Sequence, residues 1–133
     1  MSLLLLDTTF LIDAERSGAQ LDEAIGDDDD VAIAAITIAE LLVGVELATE
    51  KRRASRQAFV AAVSDGLPIL AYDRAIAEVH ASLLVEVRQQ GRPRGAHDLI
   101  IAATARATKR TVLSADRTAF ADLSGVDVWN HRA

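Results

Sequence analysis

The chain has 133 residues, 50% of them hydrophobic and only 4% aromatic, with no cysteine and a formal net charge of −6. That length predicts one domain over 1–133 with an aliphatic core, and the lack of cysteine excludes disulfides and thiolate metal sites while suiting a reducing cytoplasm. The acidity argues against non-specific clinging to nucleic acid, which Lys and Arg drive, although a bound metal ion adds positive charge that a residue count omits.

An apolar run over 3–6 is the first strand candidate, and it ends at Asp7. It begins almost at once, without a basic leader, so no signal peptide is expected. All apolar stretches fall short of the roughly 18 residues of a membrane span, so no membrane partner is expected either. Residues 8–16 and 19–26 read as two short helices split near Ser17 and Gly18. The acids Asp27 to Asp30 form a solvated loop, lacking the Gly and the distal Glu of a helix–loop–helix calcium site.

A strand over 31–36 leads to a helix over 37–48, with Ile38, Leu41, Leu42 and Val45 at helical spacing. A helix over 52–65 stops at Asp65-Gly66-Leu67-Pro68. A strand over 67–71 and a long helix over 73–90 follow, the latter ending at Gly91-Arg92-Pro93. A helix over 97–109, a strand over 111–114, a short helix over 117–122 and a strand over 126–129 complete the chain. Strands alternating with helices predict an α/β fold: a three-layer α/β/α sandwich on a mainly parallel sheet of four to five strands.

Asp7, Glu40, Asp98 and Asp116 each follow a strand-like run or open a helix-like one. In an open parallel sheet the carboxyl ends of the strands share one edge, where ligands bind. Each acid has a local explanation. Asp7 and Asp116 suit helix caps, Thr37-x-x-Glu40 has the form of a capping box, and Asp98 lies where a helix macrodipole favours negative charge. Capping needs one acid per helix, however, and does not need the acids gathered. Four gathered carboxylates repel, and the pattern predicts one or two Mg²⁺ or Mn²⁺ ions among them. Such hard ions bind one or two carboxylates directly and others through water. Asp7 and Asp98 are the expected direct ligands, with Glu40 and Asp116 holding waters or a second ion. Thr8, Thr9 and Ser114 offer hydroxyls to orient the carboxylates. The chemistry such ions support is water activation and phosphodiester cleavage.

The ordered set Asp7-Thr8-Thr9, Thr37-x-x-Glu40, His97-Asp98-x-x-Ile101-Ala102-Ala103 and Ser114-x-Asp116 resembles the PIN-domain ribonucleases. Among these it looks most like the VapC toxins of bacterial toxin–antitoxin modules, over residues 3–129. The resemblance implies an α/β/α fold and Mg²⁺- or Mn²⁺-dependent endonucleolytic cleavage of RNA. It also implies a homodimer, and a small antitoxin that wraps the toxin and blocks the site. By the same resemblance Asp7, Glu40, Asp98 and Asp116 form the acidic cluster. Thr8 stands for the hydroxyl residue after the first Asp, and Ser114 for the one before the last acid. Arg117 is a departure, since the family often has a further acid or Asn near there.

Three basic clusters (Lys51, Arg52, Arg53 and Arg56; Arg88, Arg92 and Arg94; Arg106, Lys109 and Arg110) read as solvated helix faces and helix ends, or as a rim for a phosphate backbone. Arg94 is a candidate phosphate contact. Asp13 reads as an exposed helix acid, His97 as a helix-start histidine, His80 and His131 as incidental, and Trp129 as packing. A haloacid-dehalogenase-like phosphatase needs a second Asp at position 9, which is Thr. A phosphoacceptor signalling domain needs an acid pair after the first strand and a Lys after the last, and both are missing. A silent binding module of the same fold would be expected to have lost acids. A metal-dependent DNA nuclease stays open, because recognition of the 2′-hydroxyl depends on the groove. The reading is a metal-dependent endoribonuclease that uses water as its nucleophile.

Overall fold

The computed structural model describes residues 2–17 and 25–130. Among these, β1 (Leu3–Leu6), β2 (Asp30–Ala34), β3 (Ile69–Leu70), β4 (Thr111–Leu113) and β5 (Val128–Trp129) form one sheet in the order β3-β2-β1-β4-β5. Every pairing is parallel; Leu4 lies opposite Val31 on one side and Thr111 on the other, and Leu113 lies opposite Trp129. The helices among the described residues are α1 (Thr8–Ser17), α2 (Ala35–Glu46), α3 (Glu50–Gly66), α4 (Arg74–Gln90) and α5 (Ala96–Ala107), with a 3-10 turn over Arg117–Ala119.

Successive strand residues face opposite sides of a sheet, and here the two sides carry separate cores. Leu5, Ala32, Ala34 and Val112 pack with Ile76, Leu83 and Val87 of α4 and with Leu99 and Ile101 of α5. Leu6, Ile33 and Leu113 pack on the other side with Phe10 and Leu11 of α1, Leu41 and Val45 of α2, and Val60 and Val63 of α3. Burial on both faces is why these strands read as unbroken apolar runs. The α/β/α layering is as expected. No helix of the described residues is long and apolar enough to cross a membrane.

Several element ends differ from the sequence reading. The helix expected over 19–26 lies almost wholly outside the described residues, as does His131. β3 keeps only Ile69 and Leu70 of 67–71, although the Pro68 carbonyl still accepts from the Ile33 amide at 3.0 Å. The helix expected over 117–122 is one 3-10 turn, because the fully buried Phe120 drives the chain into the core straight after it. Gly91, at φ 65°, ends α4 in the left-handed conformation that glycine adopts without strain.

Two polar readings change as well. Asp29 does more than line a solvated loop: its carboxylate accepts from the amides of Gly26 at 2.7 Å and Ser2 at 2.9 Å, and these bonds lower its pKa. Arg110 is not a solvated helix-end cation. It reaches the Leu4 carbonyl at 3.1 Å, the Asp30 carbonyl at 2.9 Å and the Asp30 carboxylate at 2.9 Å, tying the amino ends of β1 and β2 together.

The capping box does not form. β2 stops at Ala34 and α2 begins at Ala35, two residues before Thr37. Thr37, Leu41 and Val45 share the buried face at i, i+4 and i+8, and keeping that face inward starts the helix early. Thr37 is fully buried, and its Oγ1 has no hydrogen-bond partner among the described residues. A buried hydroxyl without a partner is destabilising. Thr37→Val is therefore expected to raise stability by about 1 kcal/mol in chemical denaturation, whereas a lost cap would lower it by about 1 kcal/mol.

Candidate active site at the carboxyl edge of the sheet

The chain runs outward from β1 through β2 to β3, then returns to the other side of β1 with β4 and β5. That reversal opens a crevice where β1 and β4 end, the place where open α/β sheets bind ligands. Asp7 follows β1 directly and Ser114 follows β4 directly. The Asp7 amide donates to the Leu113 carbonyl at 3.0 Å, which fixes the two strand ends together.

Asp7 is only 3% exposed, and a buried carboxylate needs hydrogen bonds to be tolerated. Its Oδ2 accepts from the Ser114 hydroxyl at 2.7 Å and from the Thr9 hydroxyl at 3.1 Å. Ser114 Oγ in turn accepts from the Asp116 amide at 2.9 Å, and Thr9 Oγ1 from the Ala115 amide at 2.9 Å. The Asp-Thr-Thr and Ser-x-Asp motifs thus interlock into one network spanning the crevice. The Asp7 carboxylate is turned to these hydroxyls.

Glu40 projects from the second turn of α2. The Thr8 hydroxyl donates to its Oε1 at 2.8 Å, and His97 Nδ1 lies 3.7 Å from its Oε2. Asp116 caps the 3-10 turn as expected, its Oδ1 accepting from the Thr118 hydroxyl at 2.8 Å and the Ala119 amide at 3.3 Å.

Asp98 lies half-buried in the first turn of α5. Burial pushes its carboxyl up from the ordinary 3.8 to about 6, and the negative charges of Asp7, Glu40 and Asp116 add to the rise, with His97 acting the other way. The macrodipole at a helix start favours the ionised form by only ~0.3–1 kcal/mol. Burial and repulsion outweigh it, since each pH unit of displacement is about 1.4 kcal/mol. Asp98 thus feels the charge of each of the other three acids found in the sequence. The Asp98 carboxylate folds back over Gly95, where a Cβ would sit 2.8 Å from its Oδ2. An open cavity lined by Asp98, Asp116, Arg92, Arg94 and Thr118 flanks the cluster.

Among the described residues, no three acidic or histidine side chains converge into a ready-made ion cage. The donor set still fits a hard cation. It is all carboxylate and hydroxyl oxygen, and Mg²⁺ typically takes one or two carboxylates and fills its other positions with water.

His97 stands at the start of α5 as expected, and its Nδ1 lies 3.7 Å from the Glu40 carboxylate, a proximity at which only its place next to Asp98 hinted. Other residues depart from the sequence reading. Asp13 is half-buried rather than exposed, and Trp129, read as packing, is 48% exposed on the edge strand. Arg94 spends its guanidinium on backbone carbonyls, not on open space.

The family model of the PIN domain matches residues 4–126. The chain is similar to Ribonuclease VapC5 of Mycobacterium tuberculosis, with 40% identity over 121 residues covering 90% of this chain and 87% of the other. Among solved structures, it is similar to VapBC-5 of Mycobacterium tuberculosis, a member of the VapBC family of toxin-antitoxin systems. That match has a TM-score of 0.79 and 34% identity over 96% of this chain and 98% of that one. DNA-bound VapBC from Salmonella typhimurium shares the fold, with a TM-score of 0.87 and 23% identity over 98% of this chain and 99% of that one.

The raised Asp98 carboxyl has a consequence for stability. A group that binds its proton more tightly when folded stabilises the fold below its unfolded pKa, and that contribution is lost as the pH rises through the folded value. The window here runs from 3.8 to about 6. In chelator, the stability of Asp98→Asn relative to wild type is expected to climb across that window by roughly 1–2 kcal/mol, a figure discounted for partial solvent exposure. Urea denaturation at pH 4 and pH 7 measures it, and a pH-independent difference would contradict the crowding.

Proposed function

The chain belongs to the PIN domain family, and from that premise we propose that it is a divalent-cation-dependent endoribonuclease acting as the toxin of a toxin–antitoxin pair. The observation that carries this reading is the crowding of Asp98 by Asp7, Glu40 and Asp116 at the switch point of the sheet. Crowded carboxylates are relieved by a proton or by a cation, and near neutral pH a cation does so. RNA as substrate and a small antitoxin as partner are supported by the ribonuclease relative and by the VapBC structures. The cytoplasm is the proposed location, which an RNA substrate and a chain without cysteine both suit.

Asp7 and Asp98 are the residues to hold Mg²⁺ or Mn²⁺, as one or two ions. The Asp7 Oδ2 is committed to Ser114 and Thr9, which leaves its Oδ1 for the ion. Glu40, fixed by Thr8, and Asp116, fixed by Thr118 and the Ala119 amide, would hold ordered waters or a second ion. When bound, the ion supplies a Lewis acid for the phosphodiester and makes a nearby water more acidic. The residues themselves favour water as nucleophile. Ser114 is fully buried, its hydroxyl enclosed between Asp7 and the Asp116 amide, so it is out of a substrate's reach for covalent attack.

Protein partners are supported by uncovered apolar surface. Leu42, Val43 and Leu47 at the end of α2, and Leu84 and Val85 of α4, are exposed, as expected of faces that a partner covers. An antitoxin and a second copy of the chain are the proposed occupants.

Purified protein is expected to cut end-labelled cellular RNA at discrete positions with Mn²⁺ or Mg²⁺. Chelator should stop the cleavage, and Asp98→Asn or Asp7→Asn should slow it by about 100-fold or more, since even groups that merely support ligands are worth up to that much. Cleavage that survives chelator, or a variant cutting at the wild-type rate, would overturn the site. Cuts in DNA alone would make the protein a DNA nuclease.

Gly95→Ala tests the orientation of Asp98 separately. The added methyl meets only the end of a flexible side chain, so stability is expected to change by no more than about 1 kcal/mol. Cleavage should fall about 10-fold, because small displacements of reacting groups are costly. Wild-type cleavage by this variant would show that the folded-back carboxylate is not the active arrangement.

A further inference from the structure

The segment joining α4 to α5 and the segment after the 3-10 turn are clamped together. Gln90 Nε2 donates to the Asp122 carbonyl at 2.8 Å. Arg92 donates to the Asp122 carboxylate at 3.1 Å and to the Ala121 carbonyl at 3.4 Å, and Arg94 Nη2 donates to the Ala121 carbonyl at 2.8 Å. The Arg92–Asp122 pair is 52% and 73% exposed, and exposed pairs hold weakly. The Arg94–Ala121 bond is shorter and partly buried, so it carries more of the clamp.

Two costs are accepted at this place. Asp122 stands at φ 62°, the left-handed region that a residue with a side chain rarely adopts. The Arg94 Nε is buried without a hydrogen-bond partner among the described residues, although buried polar groups are nearly always paired. Costs of this kind persist where surrounding contacts over-determine them, and they gather at functional sites.

What the clamp joins explains them. Arg94 is one residue before Gly95, over which the Asp98 carboxylate folds. Ala121 donates its amide to the Arg117 carbonyl at 2.8 Å, inside the turn that Asp116 caps. The guanidinium therefore bridges the backbone supports of two carboxylates that repel each other, and both acids line the cavity that Arg94 itself borders. With its Nη atoms committed to carbonyls, Arg94 is built to hold backbone rather than to bind a phosphate.

We propose that Arg94 is a positioning residue that acts through the Ala121 carbonyl to hold Asp116 in place against Asp98. Its catalytic consequence rests on the ribonuclease reading, but its structural consequence does not.

The experiment compares wild type, Arg94→Gln, Asp116→Asn and the double variant in full-length protein. Arg94→Gln is expected to lower kcat for RNA cleavage about 10-fold with KM within about twofold, as a displaced group predicts. In the Asp116→Asn background it should lower kcat no further, because residues acting as a unit are non-additive. Hydrogen exchange at the Ala119 amide, which bonds to Asp116 Oδ1, should quicken at least about 10-fold in Arg94→Gln while the Leu5 amide in β1 stays protected. Arg94→Lys, which keeps one donor, should recover part of the kcat, and it takes the place of Arg94→Gln if that variant does not fold. A raised KM with unchanged kcat would make Arg94 a substrate contact. Additive losses with faster exchange at Leu5 would make it a general structural residue, and unchanged exchange at Ala119 would remove the clamp altogether. If wild type cuts no RNA, the ribonuclease reading fails alone and the exchange data still decide the clamp.

Discussion

Like charges brought together in a half-dry crevice must be held there, and the carboxyl edge of this sheet is organised around that constraint. Asp7, Glu40, Asp98 and Asp116 come from four separate stretches of chain, yet Asp98 feels the charge of each of the other three. Left to electrostatics alone they would move apart or take up protons. The architecture opposes this from every side. β1 and β4 are neighbours in the sheet, so the groups that follow them cannot separate. The Ser114 and Thr9 hydroxyls hold Asp7, Thr8 holds Glu40, and the 3-10 turn holds Asp116. The fold itself thus bears the repulsion, the kind of preorganisation on which electrostatic catalysis depends.

The same constraint explains how an acidic chain can act on a polyanion. On the proposed reading, cleavage of a phosphodiester would not call for a basic surface throughout, because a cation among the carboxylates would invert the local charge. Arg92 and Arg94 border the crevice, but they are engaged in holding backbone.

Much of this was legible in the sequence because the central strands read as short apolar runs. The apolar runs at 3–6, 31–34 and 111–113 belong to strands buried on both faces, and such strands have no polar side to blur the signal. Asp7, Glu40 and Asp116 stood out by their place after those runs and Asp98 by its place at a helix start, and the Ser114 hydroxyl links Asp7 to the Asp116 amide. What was not legible depended on contacts distant in sequence. Thr37-x-x-Glu40 satisfies a local capping rule, but packing Thr37 with Leu41 and Val45 started the helix earlier and sent Glu40 to Thr8 instead. Arg110 and Asp29 read as surface charges, and only the sheet brings Leu4, Asp30 and Ser2 to them. His97 shows its proximity to Glu40 only once α5 packs beside α2. Trp129 had the look of a core residue, but β5 is an edge strand and leaves it half exposed.

The central claim is that the four carboxylates are coupled and that a cation relieves the coupling. Side-chain carboxyl ¹³C shifts followed by NMR from pH 3 to pH 8 test it directly, in wild type and Glu40→Gln, without metal and with Mg²⁺. The account predicts that metal-free Asp98 titrates near 6, and that Glu40→Gln and Mg²⁺ each lower that value. Titration of Asp98 near its ordinary 3.8, unmoved by the substitution or by the ion, would contradict it.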